Sequence, residues 1–495
     1  MSAKDSANHS AQESANHSAK DKAMEQIRTD LLVIGAGSGG LSVAAGAAQM
    51  GADVVLLEGH RMGGDCLNYG CVPSKALLAA GHAAHAMQAG GAMGVRPVAP
   101  DVDFAAARDH VARVIDTIAP MDSVERFTGL GVRVISDYGR FVAPRLVEAG
   151  SHRITARRIV IATGSSPLVP PIPGLERVPF LTNETLFDLR DRPEHLLIIG
   201  GGPIGMEMAQ AHRRLGAAVT VIEAGRALGR DDPEMAAIVL AQLRAEGIAI
   251  EEETAAAEVR SAGPAIEVAA ADGRVFRGSH LLVAAGRKPN LDRLNLTAAG
   301  IKATAAGITV DDRLRSSDRR VYAIGDVAGG LQFTHVAGYH AGLIIREALF
   351  GLPARARTAH IPRATYTSPE LAQVGLTEAE ARATHGARLE VARFDYHHND
   401  RAIACGQSTG AIKVMVVAGR PVGVSIAGHQ AGELIALWSM VIANRLKMSA
   451  VAGMVAPYPT IAEINKRAAG AYFSPRLFDN DAVKRVVRLV QRWLP

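Results

Sequence analysis

The sequence predicts an α/β protein with two doubly wound nucleotide-binding units and a C-terminal α+β domain. Three observations carry this reading. A strand, a glycine-rich turn, a helix and a second strand ending in an acid occur twice with the same spacing. The length of 495 residues exceeds what one core can fill and calls for about two to four domains. From Pro362 onward the pattern changes to alternating strand-like segments separated by helical ones. A hydrophobic content of 48% and 50 glycines fit a folded α/β enzyme, not a disordered or fibrous chain. The net charge of +5 is small for this size, and no aromatic-plus-basic cluster accompanies it, so no nucleic-acid partner is expected.

In the first copy the apolar run Leu31–Ile34 ends at Gly35-Ala36-Gly37-Ser38-Gly39-Gly40. An Ala-rich helical stretch follows, then Asp53–Leu57, a strand ending at Glu58. This is the dinucleotide fingerprint of a Rossmann-like unit. Gly35 allows the tight turn, Gly37 lets backbone approach a pyrophosphate, and Gly40 allows close helix–strand packing. Glu58 can hold ribose hydroxyls. In the second copy His195–Ile199 leads into Gly200, Gly202, Ile204 and Gly205, and Val219–Ile222 ends at Glu223. From first glycine to acid is 23 positions in both copies.

The chemistry is expected in the stretch from Gly63 to Lys75, which holds two of the three cysteines, Cys66 and Cys71. Their spacing is about one helical turn plus a residue, so two thiols at a helix mouth can reach each other and close a disulfide. A helix N-terminus also favours thiolate. Pro73 suits a first helical turn, and Ala76–Ala80 continues as good helix. Three cysteines cannot staple a secreted chain of this length, which points to a reducing, cytoplasmic compartment. Two nucleotide folds beside a cysteine pair suggest electrons moving between two nucleotide cofactors and a disulfide. One cofactor must then be a flavin, which takes a hydride's two electrons and passes them to sulfur.

Between the copies, Ile159–Ile161 breaks into Ala162-Thr163-Gly164-Ser165, and Leu281–Gly286 followed by Arg287-Lys288-Pro289-Asn290 repeats that shape. Val321–Ile324 ends at Gly325-Asp326, where a carboxylate can accept from ribitol hydroxyls. Gln332-Phe333-Thr334-His335 opens a helix expected over 336–349, whose N-terminus can sit under a flavin carbonyl. In the C-terminal domain, strands are expected near 412–417 and 422–426 and helices at 432–446 and 460–470. Segment 481–494 reads as a basic amphipathic helix that packs on its own domain or a partner subunit, or touches a membrane surface weakly. The first 27 residues hold a duplicated hexapeptide, Ser6–Ala11 and Ser14–Ala19, and read as a disordered tail without a secretory signal. No apolar run approaches the roughly 20 residues that span a bilayer.

Taken together these motifs resemble the class I pyridine nucleotide–disulfide oxidoreductases, the family of dihydrolipoamide dehydrogenase, glutathione reductase and mercuric reductase. The resemblance covers about residues 28–475. It rests on both glycine fingerprints, Gly-Gly-x-Cys-Leu-Asn-x-Gly-Cys-x-Pro-Ser-Lys, Ala-Thr-Gly-Ser, Gly-Arg-x-Pro-Asn, Ala-Ile-Gly-Asp and Pro-Thr-x-x-Glu. It implies a homodimer using FAD and NAD(H). The implied layout is a split FAD domain (28–175 and 288–358), an inserted NAD(P) domain (176–287), a dimerisation domain (359–480) and the terminal helix. Cys66 would be the interchange thiol and Cys71 the charge-transfer thiol against the flavin. Lys75 would lie near the flavin and pair with Glu207. Gly64, Gly139, Thr163, Gly164, Ser165, Gly325, Asp326 and the 332–335 segment would line the FAD site, and Gly286 the nucleotide side. No metal site is expected. Glu223 welcomes ribose hydroxyls and repels a 2′-phosphate, which favours NADH over NADPH, with Arg226 and Arg230 nearby as a counterweight.

Two departures bear on substrate. Where dihydrolipoamide dehydrogenase and glutathione reductase carry an acid–base His, this chain has Tyr458, followed by Pro459, Thr460 and Glu463. Phenol titrates near ~10 and imidazole near ~6.5, so Tyr458 cannot shuttle protons at neutral pH. A Tyr there resembles mercuric reductases, but those end in a vicinal cysteine pair and this chain ends Gln491–Pro495. Asp65 stands where many relatives have Thr and is expected to oppose thiolate formation at Cys66. Cys405 reads as a small buried residue. The leading expectation is NADH-driven reduction of a disulfide, metal or quinone-like acceptor. The alternatives are dihydrolipoamide oxidation with NAD+ and a non-catalytic flavin sensor or scaffold.

Overall fold

The computed structural model describes residues 24–494, so the duplicated hexapeptide lies outside the described residues. In chain order the elements that matter begin with β1 (Glu25–Ile34), α1 (Ser38–Gln49), β2 (Val54–Leu57), α2 (Gly64–Asn68) and α3 (Cys71–Ala89). Next come β3 (Arg133–Ile135), β4 (Arg140–Ala143), β5 (Leu146–Ala149), β6 (His152–Ile161), β7 (His195–Ile199), α4 (Pro203–Arg214) and β8 (Ala218–Ile222). These are followed by β9 (Ala249–Glu251), β10 (His280–Val283), β11 (Val321–Ala323) and α5 (Thr334–Ile344). The C-terminal part contributes β12 (Pro362–Thr365), β13 (Glu370–Gly375), β14 (Leu389–Asp395), α6 (Asp400–Ala404), β15 (Ala411–Val417) and β16 (Arg420–Gly428). It ends with α7 (Ala431–Ala443), α8 (Glu463–Phe478) and α9 (Asp481–Trp493).

The chain divides into two compact units. One holds the residues up to Asn68, Ile115–Ser166 and Arg287–Ala356. The other holds Tyr69–Val114, Pro167–Gly286 and the chain from Arg357 onward. In the first unit a sheet runs β3-β2-β1-β6-β5-β4, with β11 also paired to β6. The β3-β2-β1-β6 pairings and the β6·β11 pairing are parallel, whereas β6-β5-β4 is an antiparallel meander. The four residues of β2, Val54-Val55-Leu56-Leu57, are all buried, as a parallel strand covered on both faces requires. Strand β1 starts well before its apolar run: Glu25–Ile27 pair with His152–Ile154, so these three residues are strand and not tail. Their polar, alternating character hid them.

In the second unit β9-β8-β7-β10 is a smaller all-parallel sheet. A separate antiparallel sheet, β12-β13-β16-β15-β14, backs α7 and α8. Its core gathers Trp438, Tyr396, Val414, Val424 and Ile464. The helix expected over 336–349 is α-helical over Thr334–Ile344 and continues as a π turn over Ile345–Leu349, where buried Glu347 meets Arg315. Helix α8 begins at Glu463 and runs through Phe478, eight residues past the expected end.

Candidate active site

Both fingerprints fold the same way, for the same reason. Gly35 and Gly200 have φ of +106° and +116°, a region open to glycine. A Cβ on Gly40 would collide with the Gly35 carbonyl, and one on Gly205 with the Gly200 carbonyl. The acid ending the second strand closes each turn. Glu58 accepts from the N–H of Ala36 (2.7 Å) and of His60 (2.8 Å). Glu223 accepts from Gly201 (2.6 Å) and Gly225 (2.8 Å) in the corresponding places. Each carboxylate is thereby pinned at the rim of its loop, with lone pairs left for ribose hydroxyls.

In the first unit, Gly37 caps the N-terminus of α1, opposite Gly64 at the start of α2. A Cβ on Gly64 would stand 2.7 Å from the Gly37 Cα, so two bare stretches of backbone face each other. Gly139 packs on the sheet, where a Cβ would meet Leu57 at 2.7 Å. The two loops after β6 and after β10 are stitched together. Thr163 Oγ1 donates to the Asn290 carbonyl (2.9 Å), Asn290 Nδ2 donates to the Thr163 carbonyl (2.9 Å), and the Asn290 N–H donates to the Gly164 carbonyl (3.0 Å). Ser165 Oγ donates to Asp326 Oδ2 at 2.5 Å. Burial pushes the Asp326 carboxyl up, against the Ser165 hydrogen bond and the Arg287 charge that lower it. The Gly325 N–H donates to His340 Nδ1 on α5 (3.3 Å), and Phe333 stacks on His335 at the mouth of that helix.

Arg287 is a residue that the motifs did not mark as functional. Its guanidinium donates to Ser165 Oγ (2.8 Å) and the Ser165 carbonyl (2.9 Å), and pairs with Asp65 Oδ2 at 3.1 Å. Asp65, the residue before Cys66, is therefore compensated by a cation. Its carboxylate opposes thiolate formation less than its sequence position suggests. The arginine sits in Gly-Arg-x-Pro-Asn, but nothing in the spacing links position 287 to position 65; only folding does.

In the second unit, Cys71 opens α3 and is exposed. One turn on, Lys75 Nζ donates to Glu207 Oε2 at 2.8 Å. Helices α3 and α4 approach closely because Gly81 faces Ala211, where a Cβ would sit 3.3 Å from the carbonyl oxygen. Glu207 is buried, and its other oxygen accepts from the Tyr366 N–H at 2.9 Å. Lys75 also lies 4.5 Å from the centre of the Tyr366 ring, a cation–π contact. Burial, then the Glu207 carboxylate, raises the Tyr366 phenol above its usual range. Tyr366 had no sequence signal at all; it enters the site from β12's end. In the second fingerprint, Gly202 has open space around it, Ile204 is 38% exposed, and Gly286 adopts φ +127°.

Tyr458 is 69% exposed, and its hydroxyl donates to Asp400 Oδ2 on α6 at 2.9 Å. That bond and the Asp400 charge raise the phenol above its ordinary value. Glu463 is the first residue of α8. Cys405, expected to be buried, is only partly so and follows α6.

The glycine-lined cradle and the partly buried acceptor at Asp326 suit a pyrophosphate and a ribityl chain, so the residues present fit a flavin dinucleotide. The class these features define is shown by family comparison. The pyridine nucleotide–disulphide oxidoreductase model matches residues 29–341 and that family's dimerisation domain matches 361–469, so the chain belongs to this family. It is an FAD-dependent oxidoreductase using NAD(P)H, and the matched dimerisation domain supports a homodimer. The chain is 36% identical to the mercuric reductase of Streptomyces lividans over 467 residues, covering 90% of this chain and 96% of that protein. It is 33% identical to a dihydrolipoyl dehydrogenase of Geobacillus stearothermophilus, covering 90% and 96%. Among solved structures, the Cu(II) complex of the HOCl-induced flavoprotein disulfide reductase RclA from Escherichia coli superposes with a TM-score of 0.80 at 28% identity, over 88% of this chain and 99% of that one. LpdA from Mycobacterium tuberculosis gives 0.82 at 25%, over 90% and 99%. No helix among the described residues is long and apolar enough to cross a membrane.

Proposed function

We propose that this enzyme takes two electrons from NADH and delivers them, through a Cys66–Cys71 redox pair, to a soft metal ion, disulfide or quinone-like acceptor. When bound, FAD accepts the hydride and relays its two electrons to sulfur. In balance, NADH and one solvent proton convert the Cys66–Cys71 disulfide to two thiols plus NAD+, and the acceptor reoxidises the pair. Glu207 holds Lys75 as a fixed cation one helical turn from Cys71, where it favours negative charge on sulfur or on a reduced cofactor. Glu58 and Glu223 orient ribose hydroxyls, and Glu223 disfavours a 2′-phosphate. Gly37 and Gly202 cap α1 and α4 without a side chain in the way, so the N-termini of these helices are open to phosphate. Asp326, Ser165 and the 332–335 segment line the flavin side.

The observation that carries the choice of acceptor is Tyr458. Its phenol is raised by Asp400 and stays protonated through neutral pH, so it donates a hydrogen bond but accepts no proton from an attacking substrate thiol. That favours an acceptor needing no general acid–base over dihydrolipoamide, and accords with relatives named mercuric reductase and with one solved as a Cu(II) complex. The test is anaerobic NADH titration followed by a panel of acceptors. A long-wavelength absorbance band at two-electron reduction, lost in Cys71→Ser, is expected, with metal or quinone turnover exceeding lipoamide turnover. Simple bleaching with no band, or lipoamide rates above all others, would overturn the reading.

A further inference from the structure

Helix α9 lies beyond the matched dimerisation domain, which ends at residue 469, and within its own unit it is almost bare. Of Asp481–Trp493 only Val483 is partly covered; Val486, Val487 and Leu489 are more than half exposed and Trp493 is 80% exposed. The helix is nonetheless well founded. Asn480 caps it, its side chain accepting from the N–H groups of Ala482 and Val483, and Asp481 sits favourably at the N-terminus.

The two faces separate without exception. At about 100° per residue, Val483, Val486, Val487, Leu489, Val490 and Trp493 fall within an arc of about 160°. Asp481, Lys484, Arg485, Arg488, Gln491 and Arg492 fill an opposite arc of about 120°. Four cations and one acid share that polar arc, and among the described residues the acid's only ion pair is a loose one with Lys484 at 3.9 Å. A helix of about 20 Å is too short to span a bilayer but is suited to lie in its interface.

We propose that α9 docks the enzyme on an anionic lipid surface, its valines and Trp493 entering the headgroup–acyl boundary while Arg485, Arg488, Arg492 and Lys484 meet lipid phosphates. Charge complementarity selects this occupant over a second copy of the chain. A second copy of α9 carries the same four cations and single acid, so it offers nothing complementary to the basic arc, and by itself one face of so short a helix covers well under the ~800 Å² per partner of a stable interface.

The test uses the full-length, FAD-loaded protein with vesicles of phosphatidylcholine alone or mixed with phosphatidylglycerol. The chain has two tryptophans, and Trp438 is fully buried, so a change in emission reports Trp493. Flotation with the anionic vesicles and a blue shift of emission are expected, both weakened by salt. Because each basic residue near an anionic surface strengthens attachment about fivefold, Arg485→Gln with Arg488→Gln should weaken it about thirtyfold, while lysines at both positions should preserve it. Val487→Asp should abolish it, with NADH turnover of a soluble acceptor unchanged throughout. Absence of flotation, or equal binding to both vesicle types, would overturn the proposal. So would Trp493 emission already blue-shifted without vesicles, since a second copy or another segment would then cover the helix.

Discussion

In the proposed function the choice of acceptor turns on Tyr458, and the surroundings of that side chain strengthen what its chemistry already dictates. A phenol hydrogen-bonded to Asp400 is harder to ionise than a free one, so Tyr458 itself accepts no proton at neutral pH. Tyr458→His introduces an imidazole that is neutral, and able to accept a proton, above about pH 6.5. Disulfide turnover in that variant is expected to rise, with an ascending limb centred near ~6.5 in its pH profile. A flat profile with unchanged rate would show that proton transfer at this position is not the bottleneck. Asp65 makes a complementary point. Its charge next to Cys66 looks unfavourable in isolation, but Arg287 at 3.1 Å compensates it and ties it to Ser165 and, more loosely, to Asp326.

Helices α3 and α4 are joined by the ion pair of partly exposed Lys75 with buried Glu207, to which the proposed function gives a catalytic part. Glu207→Gln keeps the shape and the Tyr366 contact but removes the charge that fixes Lys75. Stability is expected to fall by about 1–3 kcal/mol, less if water rehydrates the partly exposed Lys75. NADH-driven reduction should slow about tenfold, since a preorganised cation is lost. Equal rates in the two proteins would remove this pair from the proposed machinery. Helix α4 also carries His212, fully buried, with its Nδ1 2.8 Å from the Met208 carbonyl. Burial lowers its pKa to about 4. A histidine depressed in the folded state keeps full stability above its unfolded value of ~6.5 and loses it as pH falls toward 4, about 3 kcal/mol in all. Urea unfolding of wild type and His212→Leu between pH 7 and 4 should show a smaller acid loss in the variant; parallel curves would assign the acid limb to other groups.

Across the molecule, what the chain announces locally and what it reveals only when folded divide along a physical line. Both glycine fingerprints and the strands ending in Glu58 and Glu223 were legible, because turn sterics and apolar runs are written in adjacent residues. Helix α9 was legible for the same reason: a period near 3.6 is a local property, whereas its bareness within the unit is not. The start of β1 at Glu25 was missed because its pairing with β6 is made by backbone, and the first two side chains, Glu25 and Gln26, stay polar and exposed. Three partnerships had no local signature: Arg287 with Asp65, Tyr366 with Glu207, and Asp400 with Tyr458. Each joins residues distant in sequence, and a hydrogen bond or ion pair needs a few ångströms of proximity that only packing of the intervening elements supplies. Sequence thus set the cofactor-binding architecture and placed a phenol, not an imidazole, at position 458. Folding set which charges are neutralised, because electrostatic energy depends on separation and burial, and neither quantity exists until the helices and sheets have met.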